Sequence, residues 1–261
     1  YCPMTFCKHE NFPSKILKNE RDIIVYLPPG YEDQPERRFP VLYLHDGQNL
    51  FDGSTAFVPG MDWHVGETAD HVIGIGAVAP LIIVGIYNAG EHRIREYTPT
   101  RVPKLGGGRA DRYGKFLITE IKPFIDQQYR TLSDFANTGL GGSSLGGLVS
   151  LYVGFKYPHI FGRLAALSPS VWWNQRVMHR FAATTQVEPR PSIWLDIGTR
   201  EGPQILRDVE NFRDVLLQKG WQLDRDLHYE CVEGAEHNEA AWSQRVGPVL
   251  QFLFPATPRE V

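Results

Sequence analysis

Two adjacent serines, Ser143 and Ser144, stand between two glycine pairs in the run TGLGGSSLGGLVSLYVGFKYP. A serine held on a sharp strand-to-helix turn needs small residues two positions before and after it, because the turn crowds the backbone there. Centred on Ser144, the frame reads Gly142-Ser143-Ser144-Leu145-Gly146 and fits; centred on Ser143, the trailing position is Leu145 and does not. Ser144 is the candidate nucleophile. Its hydroxyl needs a base to take the proton, and the base needs a third group to orient it.

Where such a serine tops a parallel sheet, the partners follow in the order serine, acid, histidine. Two carboxylates compete for the acid in SIWLDIGTREGPQ. Asp196 falls inside the strand-like run, whereas Glu201 follows Gly198-Thr199 in a loop from which a side chain can reach a histidine. Glu201 is the preferred acid and Asp196 the alternative. Glu201 could also be a solvated carboxylate favouring the dipole of the next helix. Of nine histidines, His237 alone stands between the last strand and the last helix, in EGAEHNEAAW. His228 lies within that strand and reads as structural. A developing oxyanion needs donors. One is expected from the Leu145 N–H and the other from the Gln48 N–H in LYLHDGQNLFDG, where Gly47 would allow close approach to the acyl oxygen. His45 and Asp46 would shape that loop by hydrogen bonding, or the whole stretch could be a plain strand-ending turn.

These residues need a scaffold that gathers distant loops at one edge. DIIVYL, VLYLH and LIIVGI read as strands, as do NTGLGG, GRLAAL, SIWLDIG and HYECV; the continuous apolar runs fit burial on both faces. Helical patterns cover Trp63 to Ile73, Tyr113 to Gln128, Leu145 to Tyr157, Asn174 to Ala183, Pro203 to Lys219 and Glu239 to Phe254. Alternating strands and helices predict an α/β fold, a mainly parallel central sheet with helices on both faces. Residues 1–22 read as an N-terminal extension and 23–261 as one domain. The region from Asn88 to Arg112 is long and irregular, and such loops are commonly functional.

Composition narrows the partners. A formal charge of −3 with no Lys/Arg run argues against nucleic acid or an anionic membrane, and no apolar run approaches the roughly 20 residues of a membrane span. No charged segment followed by an apolar run opens the chain, so no signal peptide is expected in it; a leader could already have been removed. Cys231 is expected as a small core residue. Cys2 and Cys7 are expected reduced, with pairing as the alternative in an oxidising compartment. No grouping has zinc-ligand spacing, so neither metal nor other cofactor is expected.

Five ordered blocks, YLHDGQNLFDG, VGIYNAGEHRIREYTPTR, GGSSLGGLVSLYVGFKYPHIFGRLAALSPSVWW, DIGTRE and GAEHNEAAW, resemble the putative-esterase family of α/β-hydrolases. That family includes feruloyl esterases, enterobactin esterases and esterase D-like enzymes. The resemblance runs from about Ile23 to Leu253. It implies the α/β-hydrolase fold, Ser144 as nucleophile, Glu201 as acid where many members carry Asp, and His237 as base, with Leu145 and Gln48 as oxyanion donors. It further implies a serine carboxylic-ester hydrolase working through an acyl-enzyme on a small-molecule or carbohydrate-linked ester of feruloyl or acetyl type. Siderophore trilactones, acyl transfer on the same triad and a silent binding module are the alternatives. For substrate contacts, Arg95 is nominated from EHRIREYTPTR, which also carries His92, Arg93 and Arg101; salt bridges to Glu91, Glu96 or Asp111 are the competing role. Trp172 and Trp173 are nominated to stack on a phenolic or sugar ring, or else to cover the core edge.

Overall fold

The computed structural model describes residues 5–257. Eight strands form one sheet: β1 (Thr5–Ser14), β2 (Asn19–Leu27), β3 (Val41–His45), β4 (Ile82–Ile86), β5 (Thr138–Ser143), β6 (Arg163–Leu167), β7 (Ser192–Gly198) and β8 (Leu227–Val232). Their order across the sheet is β1-β2-β4-β3-β5-β6-β7-β8. The first two strands pair antiparallel and β2 meets β4 antiparallel; every later neighbour is parallel. The expected mainly parallel sheet is what the chain forms.

The apolar runs form strands because both faces are covered. In β3, Val41 and Tyr43 join one hydrophobic cluster while Leu42 and Leu44 join the other. One face carries α3 (Ala110–Phe116), α5 (Leu145–Lys156), α6 (Trp173–Thr184) and α7 (Pro203–Gln218); the opposite face carries α1 (Val65–Gly74) and α9 (Val246–Leu253). The short helix α2 (Arg93–Tyr97) lies within the long irregular region. Helix α3 runs through a π turn (Leu117–Ile121) into α4 (Lys122–Gln128). The C-terminal helical pattern is two pieces, α8 (Glu239–Ser243) and α9, with Arg245 at the N-cap of the second.

Two expectations are corrected. From Thr5 onward, the segment read as an extension is β1 and the start of β2, paired into the sheet from Thr5 opposite Leu27 to Ser14 opposite Asn19. Pro13 and Asn11 obscure it, yet an edge strand tolerates proline, and the register shifts between His9 and Phe12. Cys231 is exposed, because β8 is the opposite edge strand and only half covered. Cys7 lies in β1; Cys2 lies outside the described residues. No helix among the described residues is long and apolar enough to cross a membrane.

Candidate active site

Parallel strands present their carboxyl ends on one edge, and the loops there gather residues far apart in sequence. Ser144 follows β5 directly with φ 58° and ψ −122°, a conformation that L residues seldom hold without support from their surroundings. That support is visible. The Ser144 N–H donates to the Leu167 carbonyl at 2.9 Å, and the Ser144 carbonyl accepts from the N–H groups of Leu148 and Ser170. A Cβ on Gly142 would stand 3.1 Å from the Gly146 carbonyl carbon, so the spacing that singled out Ser144 reflects real crowding across the turn.

The structure brings Ser144, His237 and Glu201 together. His237 Nε2 lies 2.9 Å from Ser144 Oγ, and its Nδ1 lies 2.6 Å from Glu201 Oε2. With Glu201 ionised, Nδ1–H donates to the carboxylate and Nε2 is free to accept the serine proton. Burial alone would raise the Glu201 carboxyl, but hydrogen bonds from His237, Ser168 and the Gly198 N–H together hold it below its ordinary value. Trp242 packs edge-on to the imidazole, 4.9 Å between centroids.

Asp196, the competing acid, serves elsewhere. It is fully buried and accepts from Trp194 Nε1 at 2.7 Å, the Ser168 N–H at 2.9 Å and Arg245 Nη1 at 2.6 Å. Burial pushes its carboxyl up to about 6, against the pull of Arg245 and these donors. Ser168 links the two carboxylates. Its hydroxyl donates to Glu201 Oε1 at 2.6 Å and accepts from Trp242 Nε1 and Arg245 Nη1, each at 3.0 Å. Arg245, 3 % exposed, thus stands behind Glu201 as a buried cation, with Nη2 4.0 Å from Oε1. Sequence reading missed Ser168 and Arg245. Their only sequence signal is position, one just past β6 and one between two helices.

The expected oxyanion donors lie in two separate elements, the start of α5 and the turn after β3. Leu145 occupies N1 of α5, where the backbone N–H has no partner within the helix. Gln48 lies in a 3₁₀ turn (Gly47–Asn49) and is pinned by its side chain, whose Oε1 accepts from the Asn88 N–H at 3.1 Å. At Gly47 a Cβ would lie 2.6 Å from the Gly85 carbonyl carbon, so the glycine lets the turn pack over β4. His45 and Asp46 do shape the loop. His45 Nδ1 meets Tyr113 Oη at 3.0 Å. Asp46 accepts from Arg93 Nε at 2.7 Å, Arg93 Nη2 at 2.8 Å and Asn88 Nδ2 at 2.7 Å.

Ser144 and His237 open into a cavity of about 400 Å³. Phe57, Val58 and Trp242 give it an apolar wall; Asn88, Arg93 and Asp46 give it a polar one. None of the three nominated substrate contacts lines this cavity. Trp173 is buried and its Nε1 donates to the Thr100 carbonyl, Trp172 is partly exposed outside it, and Arg95 faces another hollow. From the same loop, Arg93 faces the cavity instead. Among the described residues, no cluster of three His, Cys, Asp or Glu could hold a metal ion.

Comparison with known proteins gives the family. The family model described as putative esterase matches residues 14–253, so the chain belongs to the putative esterase family, and it is an esterase with the α/β-hydrolase fold. The siderophore enterobactin esterase of Emericella nidulans is 30% identical over 206 residues, covering 74% of this chain and 68% of that protein. An endo-1,4-beta-xylanase/feruloyl esterase of Xylanibacter ruminicola is 26% identical over 88% of this chain, which spans 29% of that longer protein. The crystal structure of an IroE-like serine hydrolase from Shewanella oneidensis superimposes with a TM-score of 0.78 at 22% identity, covering 96% of this chain and 80% of that one; at that identity the likeness speaks for the fold.

Proposed function

We propose that the protein is a serine carboxylic-ester hydrolase that works through an acyl-enzyme. The observation that carries this reading is the hydrogen-bonded line from Ser144 through His237 to Glu201 at the elbow. His237 takes the Ser144 proton as Oγ attacks the ester carbonyl. The tetrahedral oxyanion lies against the Leu145 and Gln48 amides, and His237 then protonates the leaving alcohol. Water, deprotonated by the same imidazole, attacks the acyl-enzyme; Ser144 regains its proton and the acid departs. Glu201 stays ionised throughout and steadies the imidazolium.

The substrate class that fits best is a feruloyl- or acetyl-type ester of a carbohydrate. The apolar wall of Phe57, Val58 and Trp242 suits a phenolic acyl group, and the feruloyl esterase relative supports it. A siderophore trilactone is the second reading, favoured by the Emericella nidulans relative.

A fluorophosphonate probe should label Ser144, and Ser144→Ala should abolish labelling and p-nitrophenyl acetate hydrolysis together. Labelling that persists in the variant would move the nucleophile elsewhere. Methyl ferulate, acetylated xylan and a catecholate trilactone, offered in competition, separate the substrate readings; turnover of the trilactone alone would reverse their ranking.

A further inference from the structure

Four cations gather on the far side of α2. Lys18, Arg95, Arg109 and Arg112 line a hollow of about 130 Å³ together with Asn19 and Glu96. The acid in that hollow is already spoken for: buried Glu96 accepts from Arg21 Nη1 and Nη2 at 2.9 and 3.0 Å and from Asn19 Nδ2 at 2.9 Å. Among the described residues, none of the four rim cations has a carboxylate oxygen within 4.0 Å. Asp111, one residue before Arg112, is engaged by Lys115 and Lys156. Glu91 stands 3.9 Å from His92. The salt bridges expected from this loop are thus made by other partners.

Clustered like charges repel one another. The chain has acids to spare, 30 against 27 Lys and Arg, yet none among the described residues pairs with this rim. Guanidinium groups grip carboxylate and phosphate oxyanions with paired N–H donors, and a lysine adds a point charge. The position is equally suggestive. Arg93 lines the Ser144 cavity while Arg95 and Glu96 line the cationic hollow, so one five-residue helix, roughly 7 to 8 Å long, borders both.

We propose that this hollow binds a compact oxyanion, a carboxylate or phosphate group, carried by the ester substrate beyond the bond that is cut. The inference rests on the esterase reading above and sharpens it: the substrate is an acidic conjugate, such as an acylated oligosaccharide bearing a uronate, with its ester at Ser144 and its anion across α2.

The test compares an acetylated or feruloylated oligosaccharide bearing a uronate with a neutral twin in which that carboxyl has been reduced to an alcohol. In the unaltered protein the acidic twin should show a KM lower by about tenfold, the effect of one or two charge-assisted contacts, and high salt should narrow the gap. In R109Q/R112Q, which removes two exposed side chains that have no side-chain partner among the described residues, the gap should close with kcat unchanged. p-Nitrophenyl acetate, too small and neutral to reach the hollow, should be hydrolysed equally by both proteins. Equal KM values for the twins in the unaltered protein overturn the proposal. Should inorganic phosphate nevertheless bind, and bind more weakly to the variant by isothermal titration, the hollow takes a free anion and the substrate-borne reading is lost. Absence of p-nitrophenyl acetate hydrolysis would instead strike the esterase mechanism, so the two failures are distinguishable.

Discussion

Behind Glu201 and beyond α2, the protein handles charge in opposite ways. Behind Glu201, two carboxylates and one guanidinium are buried and joined through Ser168, whose hydroxyl meets Glu201 and Arg245 and whose N–H meets Asp196. Beyond α2, four cations stand at the surface without an acid partner among the described residues. Burying a charge is costly unless it is paired, so a closed set of partners in a dry site fixes geometry. Exposed cations bear no such cost and remain available to a ligand. Paired charge here aims the imidazole, and unpaired charge is what a substrate can meet.

The contrast can be broken first at its strongest point. Glu201→Gln should lower kcat about 10³- to 10⁴-fold, the scale of losing the acid in a Ser-His-acid triad, while Asp196→Asn leaves turnover far closer to normal. A reversed ranking, read from p-nitrophenyl ester kinetics, would hand the acid's role to Asp196. Next, Arg245→Met should cost about 3–5 kcal/mol in urea unfolding, because it strands Asp196 as a buried charge; adding Asp196→Leu should restore most of the loss. If the double variant is no more stable than the single one, the pair is not the unit described here.

Smaller effects sharpen the same picture. Ser168→Ala removes a donor to Glu201 and an acceptor for Trp242 and Arg245, and should cost about 1–3 kcal/mol, with a drop in kcat larger than any change in KM. An unchanged kcat would make Ser168 purely structural. Glu201 also predicts a pH effect. Its folded-state carboxyl titrates below its ordinary value, so the unfolded chain binds more protons through the carboxylate range. The stability it contributes is present above its unfolded value and is lost as pH falls through the folded value. Thermal melts of Glu201→Gln should therefore lose less between neutral and acid pH than those of the unaltered protein; parallel curves would refute the linkage. Smallest of all, R109Q/R112Q should shift unfolding by less than about 0.5 kcal/mol, and a larger loss would mean that the rim does hold the fold together.

The candidate site was legible in the sequence wherever a role depends on local spacing. The elbow is written in five consecutive residues, and Glu201 and His237 each sit just beyond a strand. What escaped depends on distance in the chain. Ser168 and Arg245 matter only because β6, β7 and the α8–α9 junction converge. Arg93 and Arg95 are two residues apart on one short helix, and only the packing of α2 reveals that they face different cavities. Strand β1 was hidden by polar residues, which suit an edge strand because one side has no neighbour. Cys231 was misplaced for the mirror-image reason, at the other edge.

One short stretch, His237 to Arg245, supplies the imidazole, the indole packed on it and the guanidinium behind Glu201. His237, Asn238, Glu239 and Trp242 from that stretch also line the cavity where an acyl group would rest. A guest of the wrong shape presses on the same few residues that keep the imidazole in line. Discrimination between esters should therefore show as slower turnover, even where the poorer ester is held as tightly as the better one.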